Sequence, residues 1–263
     1  MDWLPDEFKR ATLTLGGGRS LDYLEGGTGA PVVYLHGAGG PRISPALRES
    51  CAARLLLVPV YPGFEGTVAP ADASGVKSLL PALAVFIRTC AGGTCDVVAQ
   101  SLGGHVALWL AATHPGLISS MLLQCPAGFR KGERPRGDPM KLLYAHPERI
   151  PEEPQYRSRH AEANQQAAAL YRATGFDQEL WERLPAIQCR VLLLHGTDDR
   201  LLDPEVSFGL SQQLQCGRFE PVSNAGHAIE IDRPEVFTLL MREHLSSTSR
   251  SARLHQQPES NLK

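Results

Sequence analysis

The chain has 263 residues, of which 43% are hydrophobic and 21% are charged, and its net charge is −2 at pH 7. This length and composition predict one sizeable α/β domain with room for an insertion. The near-neutral charge argues against nucleic acid or an anionic membrane as a partner. No uninterrupted apolar stretch approaches the length of a membrane span. Because Met1–Glu7 is acidic and has no apolar run, we expect no signal peptide.

Six cysteines are scattered along the chain, and none of them forms a C-x-x-C pair. A zinc site is therefore not expected. Without an export signal, we expect reduced thiols in a cytoplasmic protein, several of them packed as small apolar residues beside strands. The sequence implies no metal and no cofactor, and it leaves the oligomeric state open.

The first third of the chain alternates short strands with turns and helices. Strands are predicted at Ala11–Leu15, Leu21–Leu24, Pro31–Leu35 and Leu55–Val60. The first two surround three glycines and predict an antiparallel hairpin at a sheet edge. Pro45–Ala53 is a candidate helix, and a second helix ends near Cys90, with Pro81 indicating either a kink or a late start. The alternation predicts a mostly parallel sheet with helices on both faces.

A glycine-rich loop, His36–Gly40, follows the third predicted strand. Open α/β sheets place their sites at the C-terminal ends of strands, and such a loop can present backbone N–H groups freely. The Ala38 N–H is our candidate for one donor to an oxyanion. No Lys-Ser/Thr follows and the G-x-G-x-x-G spacing is absent, so a phosphate cradle is not expected. We interpret His36 as a structural hydrogen-bonding residue behind the loop.

A sharp corner between a strand and a helix is predicted around Ser101. Val97–Ala99 suits a buried strand, and helical spacing begins at Leu102. Ala99 and Gly103 are small enough to flank such a corner, which gives the small-x-Ser-x-Gly pattern of a nucleophile elbow. The Leu102 N–H, at a helix N-terminus, can face an oxyanion that forms beside Ser101. A glycine-rich turn with an incidental serine is the alternative.

The segment 126–185 differs from the rest, being rich in charge and proline and without a strand pattern. Helices are plausible at Met140–Ala145, Ala161–Thr174 and Gln178–Arg183. Because a structureless loop of this length is uncommon, we expect a helical cap over the site. The cap is inserted between core segments 1–125 and 186–245. We interpret the basic run Arg130–Arg136 as a solvated face, and we expect the polar segment 246–263 to be a disordered tail.

Further strands are predicted at Ile118–Gln124, Cys189–Leu194 and Arg218–Val222. Asp199 follows the second of these and His227 the third, so both could meet Ser101 at one edge of the parallel sheet. An acid can hold the imidazole in the tautomer that takes the serine proton. Asp198 is the rival of Asp199 for this role. His227 as a buried structural histidine is the alternative to its role as a base.

The chain order serine, acid, histidine, together with the elbow and the glycine-rich loop, resembles the α/β-hydrolase superfamily over roughly residues 12–245. The similarity is to its small single-domain esterases and carbon–carbon hydrolases. It implies an α/β-hydrolase fold, a mostly parallel central sheet with helices on both faces and a helical cap insertion. It also implies a small-molecule substrate. The catalytic residues implied are Ser101, Asp199 and His227, with Ala38 and Leu102 as oxyanion donors.

The resemblance implies hydrolysis of a carboxylic ester through an acyl-enzyme. Carbon–carbon bond hydrolysis is the alternative, although enzymes of that type usually carry Asn before the serine and Trp after the histidine. This chain has Gln100 and Ala228 there. A ligand receptor of the same fold with weak turnover is a third possibility. The natural substrate is not readable, because apolar residues of the insertion could line a pocket or pack on the core: Leu142, Leu143, Tyr144, Leu170 and Tyr171.

Overall fold

The structure, a computed structural model, describes residues 4–153, 160–173 and 175–254, with side chains described as far as residue 246. The strands are β1 (Phe8–Gly16), β2 (Arg19–Gly26), β3 (Ala30–Leu35), β4 (Arg54–Pro59), β5 (Cys95–Gln100), β6 (Ile118–Gln124), β7 (Arg190–Gly196) and β8 (Gly217–Val222). The helices are α1 (Pro45–Ser50), α2 (Leu80–Cys90), α3 (Leu102–Thr113), α4 (Pro139–Leu143), α5 (Ala161–Tyr171), α6 (Gln178–Arg183), α7 (Pro204–Gln213), α8 (Ile229–Asp232) and α9 (Pro234–Leu254). Short 3-10 helices lie at Phe64–Gly66, Val76–Leu79, Pro147–Arg149 and Leu184–Ala186.

The eight strands form one sheet in the order β1-β2-β4-β3-β5-β6-β7-β8. The strands from β4 to β8 in this order run parallel. The β1–β2 hairpin is antiparallel and lies at the sheet edge, as predicted. Since parallel strands end at the same edge, the loops after β3, β5, β7 and β8 meet there. The predicted mostly parallel sheet therefore brings the candidate residues to one side of the molecule.

Helix α2 begins late, at Leu80, and Pro81 lies in its first turn. A proline is tolerated there because its missing N–H would have no intrahelical acceptor. The preceding residues, Val76–Leu79, form a 3-10 turn instead. Of the two possibilities that Pro81 indicated, the late start is the one observed.

The segment between β6 and β7 contains α4, α5 and α6. In its described part it has no strand, only an isolated bridge between Phe129 and Phe176. Helix α6 has the predicted bounds, whereas α5 ends at Tyr171, short of the predicted Thr174, which lies outside the described residues. The Tyr171 hydroxyl donates to the Pro62 carbonyl at 2.8 Å, so this side chain packs the insertion onto the core.

The last helix, α9, continues to Leu254. The structure thus has a helix over residues 246–254, where the sequence predicted the first part of a disordered tail. Extending a helix that has already formed adds one hydrogen bond per residue and needs no new nucleus, so a polar sequence can continue it without an apolar face. The rest of the predicted tail, residues 255–263, lies outside the described residues.

A buried ion pair closes the opposite end of the sheet from the candidate site. The Arg54 guanidinium contacts the Asp96 carboxylate; the Asp96 side chain is buried and that of Arg54 is mostly buried. Asp96 also accepts hydrogen bonds from the hydroxyls of Ser119 and Ser120, each at 2.7 Å. These bonds give the Asp96 carboxylate further hydrogen-bond donors. A buried carboxylate without enough partners would be strongly unfavourable.

Candidate active site

Ser101 lies at the corner between β5 and α3, with backbone angles φ 51° and ψ −111°. This is a rarely populated conformation for a residue with a side chain, and surrounding contacts maintain it. The Ser101 N–H donates to the Gln124 carbonyl at 2.9 Å, and the Ser101 carbonyl accepts from the Ala127 N–H at 2.9 Å. A Cβ on Gly103 would lie 1.9 Å from the Leu35 carbonyl oxygen, so this position requires glycine. The predicted strand-to-helix corner is present.

Asp199 and His227 form a direct hydrogen bond. Asp199 Oδ2 lies 2.7 Å from His227 Nδ1, and the carboxylate is completely buried. Its other oxygen, Oδ1, accepts from the N–H groups of Leu201 at 2.8 Å and Leu202 at 3.0 Å. A carboxylate partner assigns the proton to Nδ1 of His227, which leaves Nε2 with a lone pair in the neutral imidazole. The rival acid, Asp198, is exposed and accepts from the Thr197 hydroxyl.

The surroundings of Asp199 keep it ionised. Burial alone would raise its pKa, but the nearby His227 and the hydrogen bonds from His195 and His227 outweigh burial and hold the pKa of Asp199 well below its usual range. The site therefore has a fixed negative charge next to the His227 ring.

His195 is part of this site, although the sequence analysis assigned it no role. It is fully buried at the end of β7, with Nε2 3.2 Å from Asp199 Oδ2 and 3.1 Å from the Leu202 carbonyl oxygen. Its Nδ1 lies 2.6 Å from the Ser207 hydroxyl oxygen. Because two acceptors lie beside Nε2, the proton is assigned to that nitrogen, and His195 donates to the Asp199 carboxylate. The only available signal was a histidine directly before Gly196, as His36 precedes Gly37.

Cys125 completes the surroundings of Asp199. It has a positive φ of 43°, and its sulfur, a nitrogen of His195 and an oxygen of Asp199 lie within 4.8 Å of one another. Such donors could hold a metal ion. However, burial followed by the charge of Asp199 raises the pKa of the Cys125 thiol well above its usual range. A protonated thiol beside a carboxylate already bonded to His227 fits a hydrogen-bond network better than a metal site.

The loop after β3 is held in a turn by backbone and imidazole contacts. The Gly40 N–H donates to the Gly37 carbonyl at 3.2 Å. His36 Nε2 accepts from the Tyr61 N–H at 3.3 Å, so its Nδ1 carries the proton that is donated to the Gly37 carbonyl at 2.8 Å. Burial lowers the pKa of His36 to about 4, and the ring is therefore neutral at pH 7. These contacts agree with the structural role expected of His36.

A small cavity of about 50 Å³ opens beside Ser101. Ala38 and Leu102 line it together with the serine, so the two candidate oxyanion donors and the candidate nucleophile share one space. The insertion lines the same cavity with three arginines: Arg130, Arg134 and Arg172. Two of these belong to the basic run that the sequence analysis interpreted as a solvated face. The run is exposed from Lys131 to Arg136, as expected of a solvated face, whereas Arg130 is half-buried, and both Arg130 and Arg134 line the cavity.

A polar contact joins the elbow helix to the insertion. Asp177 Oδ2 lies 2.7 Å from His105 Nε2 and accepts from the Trp109 indole N–H at 2.8 Å, and both partners lie on α3. Asp177 Oδ1 also accepts from the Leu180 N–H at 3.0 Å and so caps α6. Burial would raise the pKa of Asp177, but these hydrogen bonds lower it to about 2. The insertion is thereby anchored one helical turn beyond Ser101.

No helix among the described residues is both long and apolar enough to cross a membrane. Residues 32–238 match the model of the alpha/beta hydrolase family. The chain is 23% identical to the 2-hydroxy-6-oxo-2,4-heptadienoate hydrolase of Pseudomonas putida, over 89% of this chain and 96% of that protein. It is 26% identical to a monoacylglycerol lipase of Xenopus laevis, over 71% of this chain and 66% of that one.

Solved structures agree with this fold. A thermophilic esterase from Thermogutta terrifontis superposes with a TM-score of 0.75 and 23% identity, over 91% of this chain and 99% of that one. The family match spans most of the chain and includes the elbow, Asp199 and His227. The predicted fold class is confirmed. The chain therefore belongs to the alpha/beta hydrolase family and is a hydrolase of that class.

Proposed function

We propose that this protein hydrolyses a carboxylic ester of a small to medium substrate, with Ser101 as nucleophile, His227 as base and Asp199 as the acid that orients the base. The observation that carries the proposal is the buried Asp199–His227 hydrogen bond of 2.7 Å at the sheet edge that also presents Ser101. A serine hydroxyl is a poor nucleophile at neutral pH and needs such a base. The strained corner at Ser101 supports the same assignment, because it holds the hydroxyl at the cavity.

In the proposed reaction, Ser101 Oγ attacks the ester carbonyl carbon while His227 Nε2 takes the hydroxyl proton. The carbonyl oxygen becomes an oxyanion that accepts hydrogen bonds from the Ala38 and Leu102 N–H groups. The intermediate collapses, and the imidazolium of His227 protonates the departing alcohol, which leaves an acyl-Ser101. Water then attacks the acyl carbon with His227 again as base, releasing the acid and restoring Ser101. Each oxyanion donor typically contributes about 100- to 1,000-fold in rate.

We further propose that the insertion, residues 126–185, acts as a cap. Its support is the lining of the cavity beside Ser101, to which the insertion contributes Arg130, Arg134, Ala168 and Arg172. The Asp177 contacts to α3 support a cap that is anchored on one side of the nucleophile. The cavity is far smaller than the roughly 300–1,000 Å³ of common ligand sites, so a short acyl group fits it best.

Carbon–carbon bond hydrolysis is the second candidate, favoured by the likeness to 2-hydroxy-6-oxo-2,4-heptadienoate hydrolase. The residues beside the proposed triad favour it less. Gln100, where that class usually has Asn, donates from Nε2 to Glu230 Oε1 at 3.3 Å. Ala228 stands where that class usually has Trp and packs with Tyr144 and Ile231.

The test is hydrolysis of p-nitrophenyl acetate, butyrate and octanoate by the purified protein and its variants. We expect turnover that is lost in Ser101→Ala and that falls roughly 10,000-fold in Asp199→Asn, because the wrong imidazole tautomer is then favoured. Asp198→Asn is the matched control, and its rate should equal that of the wild type. If the wild type released no more nitrophenol than Ser101→Ala, the esterase proposal would fail. Decay of a 2-hydroxy-6-oxodienoate by the wild type would then support the second candidate.

A further inference from the structure

Three arginines from two parts of the cap converge on the cavity beside Ser101. Arg130 and Arg134 lie in the loop after β6, and Arg172 directly follows α5. No aspartate or glutamate lines this cavity. The cavity thus has a local charge of about +3 in a chain whose net charge is −2.

These guanidiniums are not in ion pairs with carboxylates within the described residues. None of the three takes part in a salt bridge in this part of the chain. Other arginines of the described residues do pair with carboxylates, such as Arg48 with Glu153 and Arg54 with Asp96. The Arg130 Nε atom is buried and has no hydrogen-bond partner in the described part of the chain. A buried donor without an acceptor is unfavourable, and a ligand acceptor at this point would relieve it.

The three side chains are also close enough to interact. Burial lowers the pKa of Arg172, and so do the charges of Arg134 and Arg130. Burial likewise lowers the pKa of Arg130, with a further contribution from Arg134. Arginine nevertheless stays protonated in proteins. The cluster therefore holds like charges together, which is unfavourable until an anion binds among them.

Two acidic side chains belong to a neighbouring cavity and not to this one. Asp203 and Glu205 line a neighbouring cavity, of which Arg130 also forms a wall. Asp203 Oδ1 accepts from the Glu205 N–H and so caps α7. Neither Arg134 nor Arg172 lines that neighbouring cavity. Of the three arginines, Arg130 alone shares a cavity lining with these carboxylates.

We propose that the substrate of the Ser101 site carries a compact dianionic group, held by Arg130, Arg134 and Arg172. The inference rests on the proposed function, since it places this group beside the ester that Ser101 attacks. Guanidinium binds carboxylate and phosphate oxygens in pairs, so three guanidiniums offer more donors than a single carboxylate can accept. A phosphonate or phosphate, or two neighbouring carboxylates, supplies the second charge. The cavity volume of about 50 Å³ requires that the group be compact.

The test compares p-nitrophenyl esters of similar size that differ in the charge of the acyl group. The acyl group of the butyrate ester is neutral, and that of the succinate ester keeps one carboxylate. The ester of 3-phosphonopropanoic acid keeps its phosphonate, and that of tricarballylic acid keeps two carboxylates. We expect kcat/KM to rise with charge and to be at least about 10-fold higher for a dianionic ester than for the butyrate. A higher value for the phosphonate would identify a phosphate-type substrate, and a higher value for the tricarballylate a dicarboxylate.

Arginine variants test the assignment. In Arg130→Gln and in Arg172→Gln, the ratio of kcat/KM for the dianionic ester to that for butyrate should fall about 10-fold each, the usual effect of one hydrogen bond to a charged group. Arg134→Gln should have a smaller effect, because its exposed side chain is screened by solvent. Arg130→Lys keeps the charge but not the paired donors, so it should recover only part of the ratio. Arg136→Gln is the matched control, from the same loop but outside the cavity lining, and should leave the ratio unchanged.

A binding measurement separates this inference from the esterase proposal. Calorimetric titration of the Ser101→Ala protein with 3-phosphonopropanoate or tricarballylate requires no turnover. We expect binding that weakens about 10-fold in the Ser101→Ala, Arg130→Gln double variant. Ester turnover without any charge preference would overturn the dianion inference and leave the esterase proposal standing. Arginine-dependent binding without turnover of any ester would overturn the esterase proposal and leave the anion-binding cluster standing.

Discussion

Gly103 gives the sharpest test of the elbow geometry, because its replacement by alanine adds one methyl group at a defined place. The new Cβ would lie 1.9 Å from the Leu35 carbonyl oxygen and 2.9 Å from that of His36. Ordinary contact begins at 3.4 Å, so α3 and the end of β3 would have to separate by about 1.5 Å (3.4 − 1.9). Leu35 lies in a central strand between two paired neighbours, and its carbonyl cannot simply turn away.

The expected effect follows from that overlap. Adding atoms to a packed interior usually costs about 1–3 kcal/mol in the free energy of unfolding, and an overlap with backbone belongs at the upper end. At ~2–4 °C per kcal/mol for a chain of this size, a loss of about 3 kcal/mol lowers Tm by roughly 6–12 °C. Displacing Ser101 by about 1 Å should also reduce kcat about 100-fold.

Gly209→Ala is the matched control. Gly209 also lies in a helix, α7, but a Cβ there would meet only Trp181 at 3.5 Å, an ordinary contact. This variant should gain about 0.5–1 kcal/mol from the higher helix propensity of alanine, with unchanged kcat. Thermal unfolding followed by circular dichroism, together with ester hydrolysis, measures both variants. If Gly103→Ala kept the Tm and kcat of the wild type, the close packing of the elbow on β3 would be refuted.

Three further predictions concern stability and thiol reactivity. The hydrogen bonds that lower the pKa of Asp177 to about 2 stabilise the fold fully above the unfolded value of 3.8, and this contribution, about 2 kcal/mol, is lost as pH falls from about 4 to about 2. The free energy of unfolding, measured with urea, should therefore fall more steeply with pH in the wild type than in Asp177→Asn over that range. Parallel plots of this free energy against pH for the two proteins would contradict the prediction. Arg54→Met leaves the buried Asp96 without its cation and should lower the free energy of unfolding by about 3–5 kcal/mol. Adding Asp96→Asn to the same chain should restore much of that loss. If Arg54→Met alone were as stable as the wild type, the Arg54–Asp96 ion pair would not have this stabilising role. In native protein, a thiol reagent should modify the exposed Cys216 first, and this fast phase should be absent from Cys216→Ser. Burial raises the pKa of Cys51 to about 12, so Cys51 should react only after unfolding. Fast native reaction of Cys51 would contradict the burial.

The elements that the sequence predicted well are those in which local pattern and final environment agree. The change from strand to helical spacing at Ser101 needs no distant contact to be recognised, and α3 begins where it was expected. Helix α6 was likewise predicted residue for residue, because Asp177 can cap it through its own chain neighbours. The end of helix α9 was not predicted, and residues 246–254 were expected to be disordered, since polar residues beyond 245 carry no apolar period to mark where a helix ends.

The sequence alone determined the fold class, the sheet edge where the candidate residues meet, and the order serine, acid, histidine, because these depend on periodicity and on short loops after strands. Only the tertiary structure decided which acid faces His227. Asp198 and Asp199 are neighbours in the same turn, and burial against His195 distinguishes them. It also decided which residues share the cavity, since Arg130 and Arg172 line it together although 42 positions of sequence separate them (172 − 130). No local pattern predicts such an arrangement, because the path of the chain between β6 and β7 determines which side chains line the cavity.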